Sequence, residues 1–212
     1  MVAVWRFLGF HPWARLRRAK PATRHRNCPR RRHHHTEIRD QLALLRRCTT
    51  VPGTVGTFRA GVPPAERDGD LVAAYHRLLQ DPDPKIHMKA AKDWCEWESA
   101  LVSVDPDAKP DPRRLQPAFQ LAFARIVTHY FRNNAWLEDG ILLRQASLLA
   151  HIPGILVHGR LDIGSPLVTA WELAQAWPNS ELVIVNGAGH ASTDPGMSEA
   201  LIAATDRFAT RR

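Results

Sequence analysis

Hydrophobic positions along the chain fall into two regimes, a helical period from residue 70 to about 150 and short continuous apolar runs after His151. Leu71, Tyr75 and Leu78 share one face of a helix expected from Asp70 to Leu79, and the following Asp-Pro pairs stop it. A second helix opens with Asp83 as N-cap and Pro84 in the first helical position, and runs to about Leu101. Its predicted buried stripe is Ile86, Ala90, Trp94, Trp97 and Leu101. A Pro/Asp loop at 105–112 leads to a third helix near Pro117 to Phe131, with Phe119, Phe123, Ile126 and Tyr130 on one face. Glu138 to Ala150 reads as a shorter fourth helix. Four helices before any strand predict a helical layer beside a sheet, not within it.

Beyond His151 the pattern changes to that of an α/β protein. Ile155 to His158 is a continuous apolar strand, as expected where both faces are covered. Ser165 and Pro166 are expected to cap and open a helix to Trp177, with Leu167, Ala170, Trp171 and Ala174 inward and Pro178 as its end. Glu181 to Val185 is the next strand, so the two should lie parallel with a right-handed crossover. Gly187 to His190 form a turn, and Met197 to Phe208 a closing helix.

Residues 1–57 fit neither regime. The first 50 residues hold 13 Lys/Arg against two acids, whereas residues 51–212 carry a small negative balance, so the overall +8 belongs to the N-terminal segment. RLRRAKPATRHRNCPRRRHHH shows no period, and disorder is expected there, with order beginning near Val62. Three readings stand. The segment is unrelated or wrongly framed coding sequence, which ranks first; a nucleic-acid-binding arm acting through residues 1–50, which ranks well behind; or a metal site at His33, His34 and His35. Consecutive histidines do not share a face, so a solvated run is the better account of the last.

The 212 residues suffice for one well-buried domain. Cys28, Cys48 and Cys95 give neither a disulfide framework nor a metal pair, which favours a reducing compartment. No apolar run approaches the ~20 residues of a membrane span. The opening residues lack the signal-peptide order of charges before apolar positions. A cytoplasmic protein is expected, with no metal and no cofactor.

Functional residues of parallel sheets gather at the carboxyl ends of strands. Asp162 follows the first strand and His190 the second, each in a glycine-containing turn. Alone, Asp162 is an ordinary turn residue and His190 a surface histidine. In the order acid then base at successive strand ends, they form the orienting and proton-accepting parts of a catalytic triad.

The stretch HGRLDIGSPLVTAWELAQAWPNSELVIVNGAGHAS, together with DWCEWESA, LAFARIVTHYF and GDLVAAYHRLL, resembles the proline iminopeptidases (prolyl aminopeptidases), serine hydrolases of the α/β-hydrolase fold. The likeness covers about residue 62 onward. It implies the C-terminal portion of such a hydrolase: a helical cap at 58–150, then a last βαβα unit at 151–212. It also implies release of N-terminal proline from peptide substrates, with Asp162 and His190 catalytic and no cofactor. Glu98, one helical turn after Trp94, matches a position where the family holds the substrate amine. Where the family carries a second acid, Val127 stands. Losing one charge-assisted hydrogen bond would weaken recognition by roughly 1.5–3 kcal/mol. A second departure concerns the nucleophile. The family order is Ser, Asp, His, with Ser in Gly-x-Ser-x-Gly ahead of the cap. This sequence has no such motif, and its first serine is Ser99. The early strands and the elbow are therefore expected to be missing, and an inactive remnant is the main alternative to a working peptidase.

Overall fold

The computed structural model describes residues 3–6, 52–102 and 111–209. Three parallel strands form a sheet in the order β1 (Ala3–Arg6), β2 (Gly154–Gly159) and β3 (Ser180–Val185). Two strands and their parallel pairing match the sequence expectation. The third corrects it: Val4 pairs with Ile155 and Arg6 with Val157, so the N-terminal segment gives the sheet a strand. The apolar, β-branched start of the chain has strand propensity, and β2 offers a row of backbone groups that must be bonded. The segment also contributes α1 (Pro52–Ala60), so ordered structure begins before Val62. The rest of the basic segment, residues 7–51, with the nucleic-acid and His33–His35 readings, lies outside the described residues.

Strand β2 is buried throughout and sorts its side chains by parity. Ile155 and Val157 face α7 (Met197–Ala209), packing with Met197, Ala204 and Leu201. Leu156 faces the other side, toward Trp177 and Leu173 at the end of α6 (Leu167–Ala176). Trp177 anchors that side, its indole N–H shared between the Leu149 and Ile152 carbonyls at 2.9 Å each. A side chain on Gly154 would run into the Trp177 ring, which explains the glycine there. Trp171, expected inward on α6, is half exposed, whereas Ala170 is buried as expected.

The helical layer comprises α1, α2 (Leu71–Leu79), α3 (Pro84–Val102) and α4 (Pro117–Arg132). Asp70 caps α2 by accepting from Ala73 N at 3.0 Å, and Asp83 accepts from Lys85 N at 2.8 Å at the start of α3. Trp94 and Trp97 of α3 form an aromatic cluster with Tyr75, Phe131 and Phe58 of α1. Phe58 stacks on Tyr75 at 4.3 Å between centroids, and Trp94 meets both rings edge-on at 5.6 and 5.7 Å. Tyr75 also donates to the Phe58 carbonyl at 2.8 Å, tying α2 to α1. Burial holds its phenol far above the ordinary tyrosine range, with Asp93 adding to the effect, so it stays a donor at any working pH.

Helix α4 departs from the expected face by one position. Gln120, Ala124, Val127 and Phe131 are buried, not Phe119, Phe123, Ile126 and Tyr130, a rotation of about 100°. The small Ala124 lets α2 and α3 approach closely, and the displaced Phe119 and Phe123 stack on each other at 5.7 Å. Ile86, placed in the α3 stripe by its spacing, is exposed. The helix expected over Glu138 to Ala150 is shorter: α5 spans Ile141–Gln145 and passes into a 3-10 turn at Ala146–Leu149. Among the described residues no helix is long and apolar enough to cross a membrane.

Trp177→Phe removes the indole donor shared by two part-buried carbonyls, and chemical denaturation should show a loss of about 1–2 kcal/mol.

Candidate functional site

The site is built where the turns after β2 and β3 meet. Arg160 N donates to Val185 O and Leu161 N to Ala188 O, both at 2.9 Å, so the turns continue the pairing of their strands. Gly159 is the point of closest approach: a Cβ there would overlap the carbonyl oxygens of Ala188 and Gly189. Asp194 braces the second turn, its Oδ2 accepting from Gly189 N at 2.7 Å and Ala191 N at 3.1 Å, on either side of His190.

This scaffold brings Asp162 and His190 together. His190 Nδ1 lies 2.9 Å from Asp162 Oδ2. A carboxylate only accepts, so Nδ1 carries the proton and Nε2 of the neutral ring is the basic nitrogen. Asp162 retains 3% of its side-chain exposure and His190 16%, so the acid is sealed while the base is reachable. The other carboxylate oxygen, Oδ1, accepts from Ser165 N at 2.7 Å. His158, buried on β2, approaches the Ser165 carbonyl at 2.8 Å through Nε2, which must therefore be the donor. Ser165 is thus fixed at both ends of its backbone, and Asp162 is aimed by the loop it helps to close. Sequence reading missed this role and made Ser165 the cap of α6. In the structure Pro166 is the cap residue without a side-chain bond, and the Ser165 hydroxyl is buried with no hydrogen-bond partner among the described residues.

Glu98, the third residue singled out from sequence, lies on the helical layer that meets the Asp162 loop. It stands on α3, whose last residue, Val102, approaches Gly164 of the Asp162 loop. Ile163 packs in turn against the helical core, so the two layers are joined at the site. Trp94 Nε1 donates to Glu98 Oε1 at 2.8 Å, the one-turn spacing read from the sequence. Burial raises the Glu98 carboxyl above its usual range; the Trp94 bond, then Arg114 and His190, oppose the rise. Val127 lies in the apolar cluster at 8% exposure, so no charge stands at that position.

Cys95 is a buried thiol, pushed up to about 12 by burial and then by the Glu98 charge, and has no reactive character. Cys28 and Cys48 lie outside the described residues. Among the described residues no cluster of three His, Cys, Asp or Glu side chains forms a metal site. A cleft of about 860 Å³ is lined by Glu66, Asp70, His76, Arg77 and Arg132 along α2, and none of Asp162, His190 or Glu98 borders it.

Residues 142–211 match the family described as TAP-like protein. Over 156 residues the chain is 47% identical to a protein of Streptomyces coelicolor named probable proline iminopeptidase, covering 72% of this chain and 47% of that protein. It is 42% identical over 158 residues to the proline iminopeptidase of Xylella fastidiosa, covering 74% and 50%. The proline iminopeptidase of Arabidopsis thaliana is 38% identical over 152 residues, covering 71% and 40%. Over the matched residues the chain is related to the proline iminopeptidases, and it spans about half the length of those curated relatives.

Two outcomes follow. Gly159→Ala should cost about 3 kcal/mol by urea denaturation, because backbone must move, and should shift the His190 Nδ1–H proton resonance as the turns separate. For Glu98 the raised folded-state pKa means that the buried anion opposes folding. That cost is absent below the ordinary carboxylate pKa and grows as pH rises through the folded value. Glu98→Gln keeps an acceptor for Trp94, so its Tm should exceed that of the parent at pH 7 and equal it near pH 4.

Proposed function

We propose that this chain carries the acid–base pair and the amine-binding carboxylate of a serine-type prolyl aminopeptidase, which releases N-terminal proline from peptides. The 2.9 Å contact between His190 Nδ1 and Asp162 Oδ2, at the ends of adjacent parallel strands, carries this reading. The relatives named proline iminopeptidases support the substrate class.

In this reading residues 58–150 cap the site and residues 151–212 supply its chemistry. His190 Nε2 accepts the proton of a serine hydroxyl as that oxygen attacks the prolyl carbonyl. The imidazolium then protonates the departing amine, and a water repeats the sequence to release proline. Asp162 holds the tautomer and offsets the imidazolium charge without itself taking the proton. Glu98 receives the charged imino group of the substrate. With Val127 in the apolar core, recognition of that group falls on Glu98. A cytoplasmic setting is part of the proposal, supported by the unpaired thiol of Cys95.

One observation favours a second reading. The sequence contains no Gly-x-Ser-x-Gly, and Ser165 bonds the far oxygen of Asp162 through its backbone, away from His190. A protein with this site could bind prolyl amines without cleaving them. Hydrolysis of prolyl-4-nitroanilide and labelling by a fluorophosphonate separate the two. A peptidase should give both, with Asp162→Asn lowering kcat about 10⁴-fold and His190→Ala at least as much. Binding of prolinamide without labelling or turnover by the parent chain would sink the catalytic reading and leave the binding one.

A further inference from the structure

Arg114 faces Glu98 and has no part in the chemistry above. It stands in a 3-10 turn, Pro112–Leu115, entered through Asp111, which accepts from Arg113 N at 2.9 Å. Its carbonyl accepts from the buried Gln120 side chain at 2.8 Å, and its guanidinium lies over the Phe123 ring at 5.0 Å from the centroid. Main chain and side chain are therefore both held in place. Nη1 comes within 3.9 Å of Glu98 Oε2, beyond hydrogen-bonding range. That nitrogen is buried and has no hydrogen-bond partner among the described residues. A buried guanidinium N–H without an acceptor is unfavourable, and an incoming anionic oxygen would relieve it. The other titratable groups facing Glu98 are His190 and Cys95, the latter an un-ionised thiol.

We infer that Glu98 and Arg114 together form a zwitterion subsite, in which a free α-imino or α-amino acid places its amine on Glu98 and its carboxylate on Arg114 Nη1. The inference rests on the amine-binding reading of Glu98 and extends it. An N-terminal residue within a peptide offers the amine but only a neutral amide carbonyl. The free acid offers both charges, matched by one carboxylate and one guanidinium side by side. Such a subsite favours the amino acid released by an aminopeptidase over the peptide it came from, so the product is retained and competes with substrate. Arg114 is in this sense a specificity residue, reading what lies on the carboxyl side of the bound amine.

The test is a calorimetric titration of the 212-residue chain with L-proline and with L-prolinamide, which differ only in the carboxylate. Proline should bind about tenfold more tightly. Arg114→Gln should weaken proline to the level of prolinamide without affecting prolinamide, and Arg114→Lys should restore part of the difference. Equal binding of the two ligands by the parent chain, or a preference for prolinamide, would overturn the subsite while leaving the amine reading of Glu98 intact. Failure of both ligands to bind would overturn the two together. A preference for proline that survives in Arg114→Gln would remove Arg114 from the account. The parent-chain comparison decides the subsite even if the variants do not fold.

Discussion

The close packing of two backbone turns governs the site. With no side chain at Gly159, the end of β2 lies against the Ala188 and Gly189 carbonyls, and the hydrogen bonds from Arg160 and Leu161 close the seam. Asp162 is displaced only three residues beyond that seam and His190 only one beyond its other edge. Their separation is therefore set by main-chain contact, not by the reach of flexible side chains. The supporting bonds from Ser165 N to Asp162 and from Gly189 N and Ala191 N to Asp194 fix the turns without drawing on solvent. A histidine and a carboxylate held this way keep their geometry through main-chain contacts.

The helical layer reaches the same place by a different route. Its aromatic cluster holds α3 against α1 and α2, and the far end of α3 meets the Asp162 loop through Val102 and Ile163. Each aromatic pair adds about 0.5–1.5 kcal/mol beyond burial, so the position of Glu98 relative to His190 depends on rings several residues away. Trp94 joins the cluster to Glu98, packing its ring against its neighbours while its indole N–H donates to the carboxylate.

What was legible in the sequence follows from what local pattern can encode. Asp162 and His190 stood in glycine turns after apolar strands, and Glu98 stood one turn from Trp94; in each case the neighbours along the chain define the setting. Where packing across elements decides, the pattern misled. Helix α4 has two plausible faces, and the large apolar residues marked the wrong one because Ala124 permits the closer approach. Phe58 and Arg114 gave no periodic signal, since each acts as a single residue projecting from a short element. Ser165 looked like a cap because Ser-Pro commonly opens helices, but Pro166 takes the cap position and Ser165 uses its backbone N–H to hold Asp162. Strand β1 was concealed by the basic stretch that follows it.

That strand has an entropic consequence. Joining Val4 to Ile155 closes a loop of about 150 residues, the most distant strand contact in the described fold. Asp162 and His190 are 28 positions apart, and β2 and β3 are linked by one helix. Loop closure therefore costs less chain entropy for the pairing that brings Asp162 and His190 together than for the pairing that completes the edge of the sheet.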